Sequence, residues 1–502
     1  MRIVLLFEVP QVARARHFRG GSLEVVAAPS GEILALGRAA RAAAGRDAEV
    51  VELRGTVWPG LQDAHLHLSP MAMRRLGVEL TGSRSLEACL ATIQRRVQGL
   101  PRTDWVRGRG WYNDDWRDSA FPHRGHLDRA AGGRPAFMVR KDGHSAWVSS
   151  AALAAAGIGR ETPDPPGGVI DRDSAGDPTG IVREKAVELV RQVVPEPSDA
   201  ELDRGLASTL RELARLGLTS VHSMDRAREF GGLQRLHQAG PLPVRVTYNL
   251  PYADLAAAER VGVRSGWGDG WLRIWGVKAF LDGSLGSRTA EMLDGSGVPV
   301  LEQSELVELC NRCAEAHLNV ALHAIGDRAV RRALDALQPL AGAWRWWRPR
   351  IEHAQCVHPD DWPRFAAAGV IASMQPIHAV ADRELADREW SRVTANAYAW
   401  GALERAGARL AFGSDAPVES ADPLLGIDAA VRWRQRAKWY PGLAVSQTSA
   451  LRAYTSGAAY AGGHDRVVGR LRPGYQCDLT VVEDGRVTAT VAGGRVTFRS
   501  RR

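Results

Sequence analysis

The stretch "GLQDAHLHLSP" places His65 and His67 two residues apart at the end of an apolar run. On a strand, residues two apart share a face, so both imidazoles project to one side and make half of a metal site. Three further apolar runs end in residues of the same kind: His323 in "NVALHAIGD", His353 in "RPRIEHAQC" and Asp415 in "RLAFGSDAPVES". One histidine at a strand end more often satisfies a core hydrogen bond than ligates. Four histidines and an aspartate on strand ends that share a rim converge on a point and read as a centre for divalent cations. Lys278, in "WGVKAFLDGSLGSRTA", sits in another apolar run. Of 65 basic residues only Lys141, Lys185, Lys278 and Lys438 are lysine, which marks each as a place where arginine would not serve. Burial beside cations lowers a lysine pKa, and the neutral amine can add carbon dioxide to give a carbamate able to bridge two metals. The competing account pairs Lys278 with a carboxylate such as Asp282 or Glu184.

Bringing these side chains together requires a barrel. Candidate strands span 58–66, 217–223, 243–249, 272–280, 319–324, 349–354, 370–375 and 409–415, and most lead into an Ala/Arg/Leu/Glu-rich helical pattern. Eight strand-then-helix units predict an α/β protein, a (β/α)8 TIM barrel with its active face at the C-terminal strand ends. The count holds only if about 120 residues, 85–205, are set aside as a large insertion after barrel strand 1, a lid or second layer over that face. The first fifty-odd residues, beginning "RIVLLFEV", and the last thirty-odd alternate short apolar runs with turns. Neither end alone has enough strands for a stable sheet, so residues 1–57 and 467–502 are expected to form one small composite β-sandwich subdomain, leaving 58–466 for the barrel.

At 502 residues, 45% hydrophobic and 24% charged, the chain has ample material for a core, which excludes a disordered protein. A net charge of +8 raises nucleic-acid binding. The arginines, however, are scattered through acid-containing stretches such as "ELDRGLASTLRELARLG", so a small-molecule substrate is the expected partner and nucleic acid is not. No run approaches the roughly 18 apolar residues of a spanning helix, and Glu8 interrupts the first, so neither a membrane nor a leader is expected. Five dispersed cysteines fit a reducing, cytoplasmic location, with Cys310 and Cys313 read as buried thiols. A homodimer is the expected assembly.

With His-x-His, Lys, His, His and Asp on strands one, four, five, six and eight, the chain resembles the amidohydrolase superfamily of metal-dependent hydrolases. "VKAFLDGSLGSRTA", "ALHAIGDRAV", "RIEHAQCV", "QPIHAVAD", "FGSDAPVESADP" and "DGHSAWVSSAAL" look like the branch that includes N-substituted formamide deformylase. The resemblance covers nearly the whole length, including a β-subdomain built from both termini. It implies two divalent metal ions, zinc first, with manganese, iron or cobalt as alternatives. By it, His65 and His67 bind the more buried ion and His323 and His353 the more exposed one. Lys278, carboxylated by carbon dioxide, bridges them, and Asp415 is ligand and general base for a metal-activated hydroxide that cleaves a C–N amide-type bond.

His222 in "TSVHSMD", His144 in "DGHSAW", Arg288 and His378 in "QPIHAVAD" are candidate substrate contacts, each with a structural role as the competing account. Relatives of this branch often carry aspartate directly after the histidine at position 222; here Ser223 follows, and Asp225 comes two residues later. Trp111, with Tyr112, Trp116 and Trp147, is a candidate lining of an apolar substrate pocket, against core packing. Two other functions stay open: a mononuclear ring hydrolase or deaminase with unmodified Lys278, and a non-catalytic binding or regulatory protein on the same barrel.

Overall fold

A computed structural model describes residues 14–500, apart from Gly99, Arg102, Thr103 and Asp142. Eight parallel strands follow one another in space as in sequence. They are β1 (Leu61–Leu66), β2 (Leu218–Ser223), β3 (Arg245–Pro251), β4 (Leu272–Phe280), β5 (Asn319–Ala324), β6 (Arg350–His353), β7 (Ile371–Met374) and β8 (Arg409–Phe412). The last meets the first: Leu66 bridges in parallel to Ala416, and Asp415 N donates to His65 O at 2.7 Å. This is the (β/α)8 barrel expected from the alternating pattern. Its strands are buried on both faces, which is why they read as continuous apolar runs.

The strands leading to His353 and Asp415 stop short of their expected ends. His353, Ala354 and Asp415 have φ of 72°, 42° and 59°, a left-handed backbone that terminates pairing and is uncommon for residues with a Cβ. The chain therefore turns sharply where His353 and Asp415 leave the strands. Helix Gln303–Glu315, opened by a reciprocal capping box between Glu302 and Glu305, buries Cys310 and Cys313 on its inner face. All five cysteines are buried and free.

Both ends of the chain supply strands to a shared core beside the barrel. One sheet runs Ile33–Leu36, Val25–Ala27, Arg16–Arg19, Glu49–Glu52; the other runs Arg495–Arg499, Arg486–Ala492, Leu479–Glu483, Thr56–Pro59. Phe18, Ile33 and Val51 from the first pack in one cluster with Leu479, Val481 and Val491 from the second. The stretch "RIVLLFEV" lies outside the described residues.

Residues Ser69–Ser208 make a compact unit of their own, which begins ahead of residue 85. Its six-stranded sheet runs Gly168–Arg172, Pro178–Glu184, Ser145–Val148, Ala136–Arg140, Val106–Trp111, Val78–Glu79. Trp111 has no exposed surface, donates from Nε1 to Met138 O at 2.7 Å, and meets the rings of Trp116, Phe121 and Trp147. The expectation that Trp111 lines a substrate pocket is therefore corrected: it is the centre of this unit's own core. Among the described residues no helix is long and apolar enough to cross a membrane.

Candidate metal centre

At the C-terminal rim of the barrel the ends of β1 and β8 are held within reach of one another. Asp63 Oδ1 accepts from His65 N at 3.0 Å and Ser414 N at 3.1 Å, and Oδ2 accepts from Ser414 Oγ at 2.5 Å. Gly413 permits this approach, since a Cβ there would stand 2.5 Å from His65 N. The result brings Asp415 Oδ1 to 3.5 Å from His65 Nε2 and 3.0 Å from His67 Nε2. One ligand atom from each of these three residues lies within 4.8 Å of the others. The His353 ring centroid is 4.8 Å from that of His65, and the His323 ring is 4.5 Å from that of His353.

The tautomers follow from the partners. His65 Nδ1 lies 2.6 Å from Glu352 Oε2, His323 Nε2 2.9 Å from Gly283 O, and His353 Nδ1 2.9 Å from Gln375 Oε1. Gln375 in turn donates from Nε2 to Ser373 O, which fixes the direction of its amide. Each acceptor can only accept, so each named nitrogen carries the proton. The lone pairs are left on His65 Nε2, His323 Nδ1 and His353 Nε2. Burial first, and Lys278 second, push the His65 pKa down to about 4 and that of His323 to about 3. Burial and the neighbouring histidines hold His353 well below its ordinary value. All three imidazoles are thus neutral at neutral pH, the state a metal ligand requires.

Lys278 projects from β4 with 3% of its surface exposed, and burial lowers its pKa to about 8. The Phe280 ring centroid is 4.7 Å from its Nζ. The Lys278 amine has no hydrogen-bond partner, and the carboxylates of the competing account are engaged elsewhere. Asp282 accepts from the backbone N–H groups of Glu291, Ile325 and Gly326, and Glu184 lies 3.1 Å from His144. Lys278 Nζ, His65 Nε2, His323 Nδ1 and His378 Nε2 are all buried without a hydrogen-bond partner. Buried polar atoms are ordinarily satisfied. Imidazole lone pairs gathered beside a carboxylate oxygen fit the donor set of a divalent cation. Burial pushes Asp415 up, but His67, His65 and His378 outweigh it and keep the carboxylate well below its usual range.

Of the other candidates within the barrel unit, His378 lies at this cluster. It opens the helix His378–Glu389, and its Nε2 stands 3.5 Å from Asp415 Oδ2. His222 is corrected: it is buried, and Arg350 Nη1 donates to its Nδ1 at 2.8 Å, so it braces the barrel interior. Arg288 lies on the surface of the loop after β4. Its side chain is two-thirds exposed and paired with Glu389 at 3.0 Å, and no described contact ties it to the cluster. His144 belongs to the 69–208 unit, in an exposed pair with Glu184. Asp225, two residues beyond Ser223, has Oδ1 3.8 Å from His67 Nδ1 and accepts from Leu68 N at 2.7 Å. The sequence reading missed Arg350, Glu352 and Gln375. The signal was present for two of them: Arg350 and Glu352 are charges two apart in a fully buried strand, hence on one face.

The family model of the amidohydrolase family matches residues 49–497. The amidohydrolase-type protein YtcJ of Bacillus subtilis (strain 168) is 32% identical over 461 residues, covering 87% of this chain and 85% of that one. N-substituted formamide deformylase of Arthrobacter pascens is 28% identical over 467 residues, covering 88% and 86%. Among solved structures, an uncharacterized metal-dependent hydrolase from Pyrococcus furiosus superposes with a TM-score of 0.77 at 30% identity, covering 93% of this chain and 99% of that one. With the barrel and its neutral histidine rim in place, these likenesses show that the chain belongs to the amidohydrolase family of metal-dependent hydrolases.

Proposed function

We propose that the chain hydrolyses a C–N amide-type bond of a small molecule, an N-substituted amide or formamide, with Asp415 as general base. The observation that carries this reading is the set of buried, unpartnered donor atoms around Asp415. The similarity to N-substituted formamide deformylase supports the substrate class. His65 and His67 would hold one ion and His323 and His353 a second, with Lys278 as its carbamate between them and Asp415 completing the set. Divalent cations, zinc first among them, supply there a Lewis acid for the scissile carbonyl and acidify a water.

The protein's own part is to place and move protons. Asp415, kept as a carboxylate, takes the proton of the attacking water and delivers it to the leaving nitrogen, so the products are a carboxylic acid and an amine. His378 hydrogen-bonds the substrate in this reading, which its place beside Asp415 Oδ2 supports. The neutral Lys278 amine would add carbon dioxide and lose one proton, giving a carboxylate where its unpaired Nζ now stands. The buried thiols fit a reducing compartment such as the cytoplasm.

A second reading rests on the tight grouping of His65, His67 and Asp415, which by itself suits a single ion with Lys278 unmodified. Metal content per chain, measured on protein purified without chelator beside Lys278→Ala and Lys278→Arg, separates the two. Near two ions in the parent and one or fewer in both variants is expected. One ion in all three would favour the mononuclear enzyme. No amine release from a panel of N-substituted amides and formamides would overturn the substrate class.

A further inference from the structure

The interior of a (β/α)8 barrel is ordinarily filled by layers of branched apolar side chains. Here Arg350 and Glu352, both on β6 and both at or below 1% exposed, occupy that space. Arg350 grips Glu352 with two hydrogen bonds, Nε to Oε1 at 2.5 Å and Nη2 to Oε2 at 3.0 Å. The same guanidinium reaches three other strands: Nη1 to His222 Nδ1 on β2 at 2.8 Å, and Nη2, shared with Glu352, to Ala64 O on β1 at 2.5 Å and Ser373 Oγ on β7 at 2.9 Å. A guanidinium spends its planar fork of donors well only where the acceptors are already fixed. In return, Glu352 cannot rotate.

The other duty of Glu352 is its contact with His65 Nδ1 at 2.6 Å. A carboxylate that only accepts forces the proton onto Nδ1 and aims Nε2 at Asp415 Oδ1, 3.5 Å away. We infer that Arg350 and Glu352 are a positioning pair, in which Arg350, anchored to β1, β2 and β7, locks Glu352 so that His65 presents Nε2 to the metal centre. The pair touches neither substrate nor ion; it acts through His65. The inference rests on the metal-centre reading above and adds to it the residues that preset one ligand before any ion arrives.

A purely structural ion pair would hold the strands together but leave cation affinity alone. The test is therefore the dissociation constant for Co²⁺ on metal-stripped full-length protein, by competition with a chelator, together with the visible spectrum of bound Co²⁺. Glu352→Gln keeps the shape but lets an amide N–H face His65, and affinity is expected to fall about 10–100-fold. If that variant fails to fold because Arg350 is left unpaired, the double variant Arg350→Met/Glu352→Gln removes both charges and is measured instead, with the same loss expected and a shifted Co²⁺ spectrum. A folded variant with the parent's affinity and spectrum would overturn the inference alone. A parent that takes up no Co²⁺ would overturn the metal-centre reading and this inference with it.

Discussion

His65 and Asp415 belong to opposite ends of the barrel's sequence, yet Asp415 N donates to His65 O at 2.7 Å and Asp415 Oδ1 stands 3.5 Å from His65 Nε2. Closure of the sheet makes the first and last strands neighbours, so a centre assembled from both exists only once the barrel is complete. Asp63 and Ser414 lock that seam, and Gly413 leaves room for it.

Asp415→Asn keeps the size of the side chain and removes its basicity. Its kcat on a responsive amide is expected to fall about 10²–10⁴-fold, the usual share of general-base catalysis, with KM little changed. Steady-state kinetics at saturating metal check this; an unchanged kcat would remove Asp415 from the proton path.

Trp111→Ala should behave as a core truncation. Loss of its packing against Trp116 and Trp147 is expected to destabilise the 69–208 unit by about 3–5 kcal/mol, with KM unchanged. Denaturant titration followed by tryptophan fluorescence, run beside the kinetics, separates this from a substrate contact, which would raise KM without lowering stability.

Asp478 precedes the strand Leu479–Glu483 and pairs with Arg245 on β3, Nε to Oδ2 at 3.0 Å and Nη2 to Oδ1 at 3.2 Å. Both side chains are at most 3% exposed. Breaking one half of a buried pair strands the other charge, so Asp478→Ala is expected to cost about 3–5 kcal/mol. Replacing both partners by apolar residues should cost less. Urea midpoints of the single and double variants make the comparison.

His464 supplies a pH dependence distant in sequence from the proposed ligands. Burial, reinforced by Arg273 and Arg245, lowers its pKa from 6.5 to about 2. In the folded protein it stays neutral, whereas the unfolded chain takes up a proton below about pH 6.5. The unfolded state then binds more protons, so His464 removes stability as pH falls, by about 1.4 kcal/mol per unit. His464→Gln should flatten the acid limb of stability between pH 6.5 and 4.5 by one proton's worth of slope. Equal slopes in parent and variant would contradict the buried neutral imidazole.

Much of this protein is determined by sequence alone. Apolar runs ending in His65, His67, His323, His353 and Asp415 give the strands, their common rim and the ligand types, because alternation along a strand and chain order around a barrel are local rules. Lys278 stands out by residue type in the same way. Tertiary structure alone decided which ring nitrogen of His65, His323 and His353 faces the centre, since that depends on Glu352 on another strand and on Gly283 O and Gln375 just beyond the ends of others. It also decided that Trp111 packs a core, that Arg288 pairs with Glu389, and that His222 serves Arg350. These outcomes depend on register and side-chain direction across strands and loops far apart in the chain. Composition and spacing constrain the face a residue occupies; only the packed barrel selects its partner.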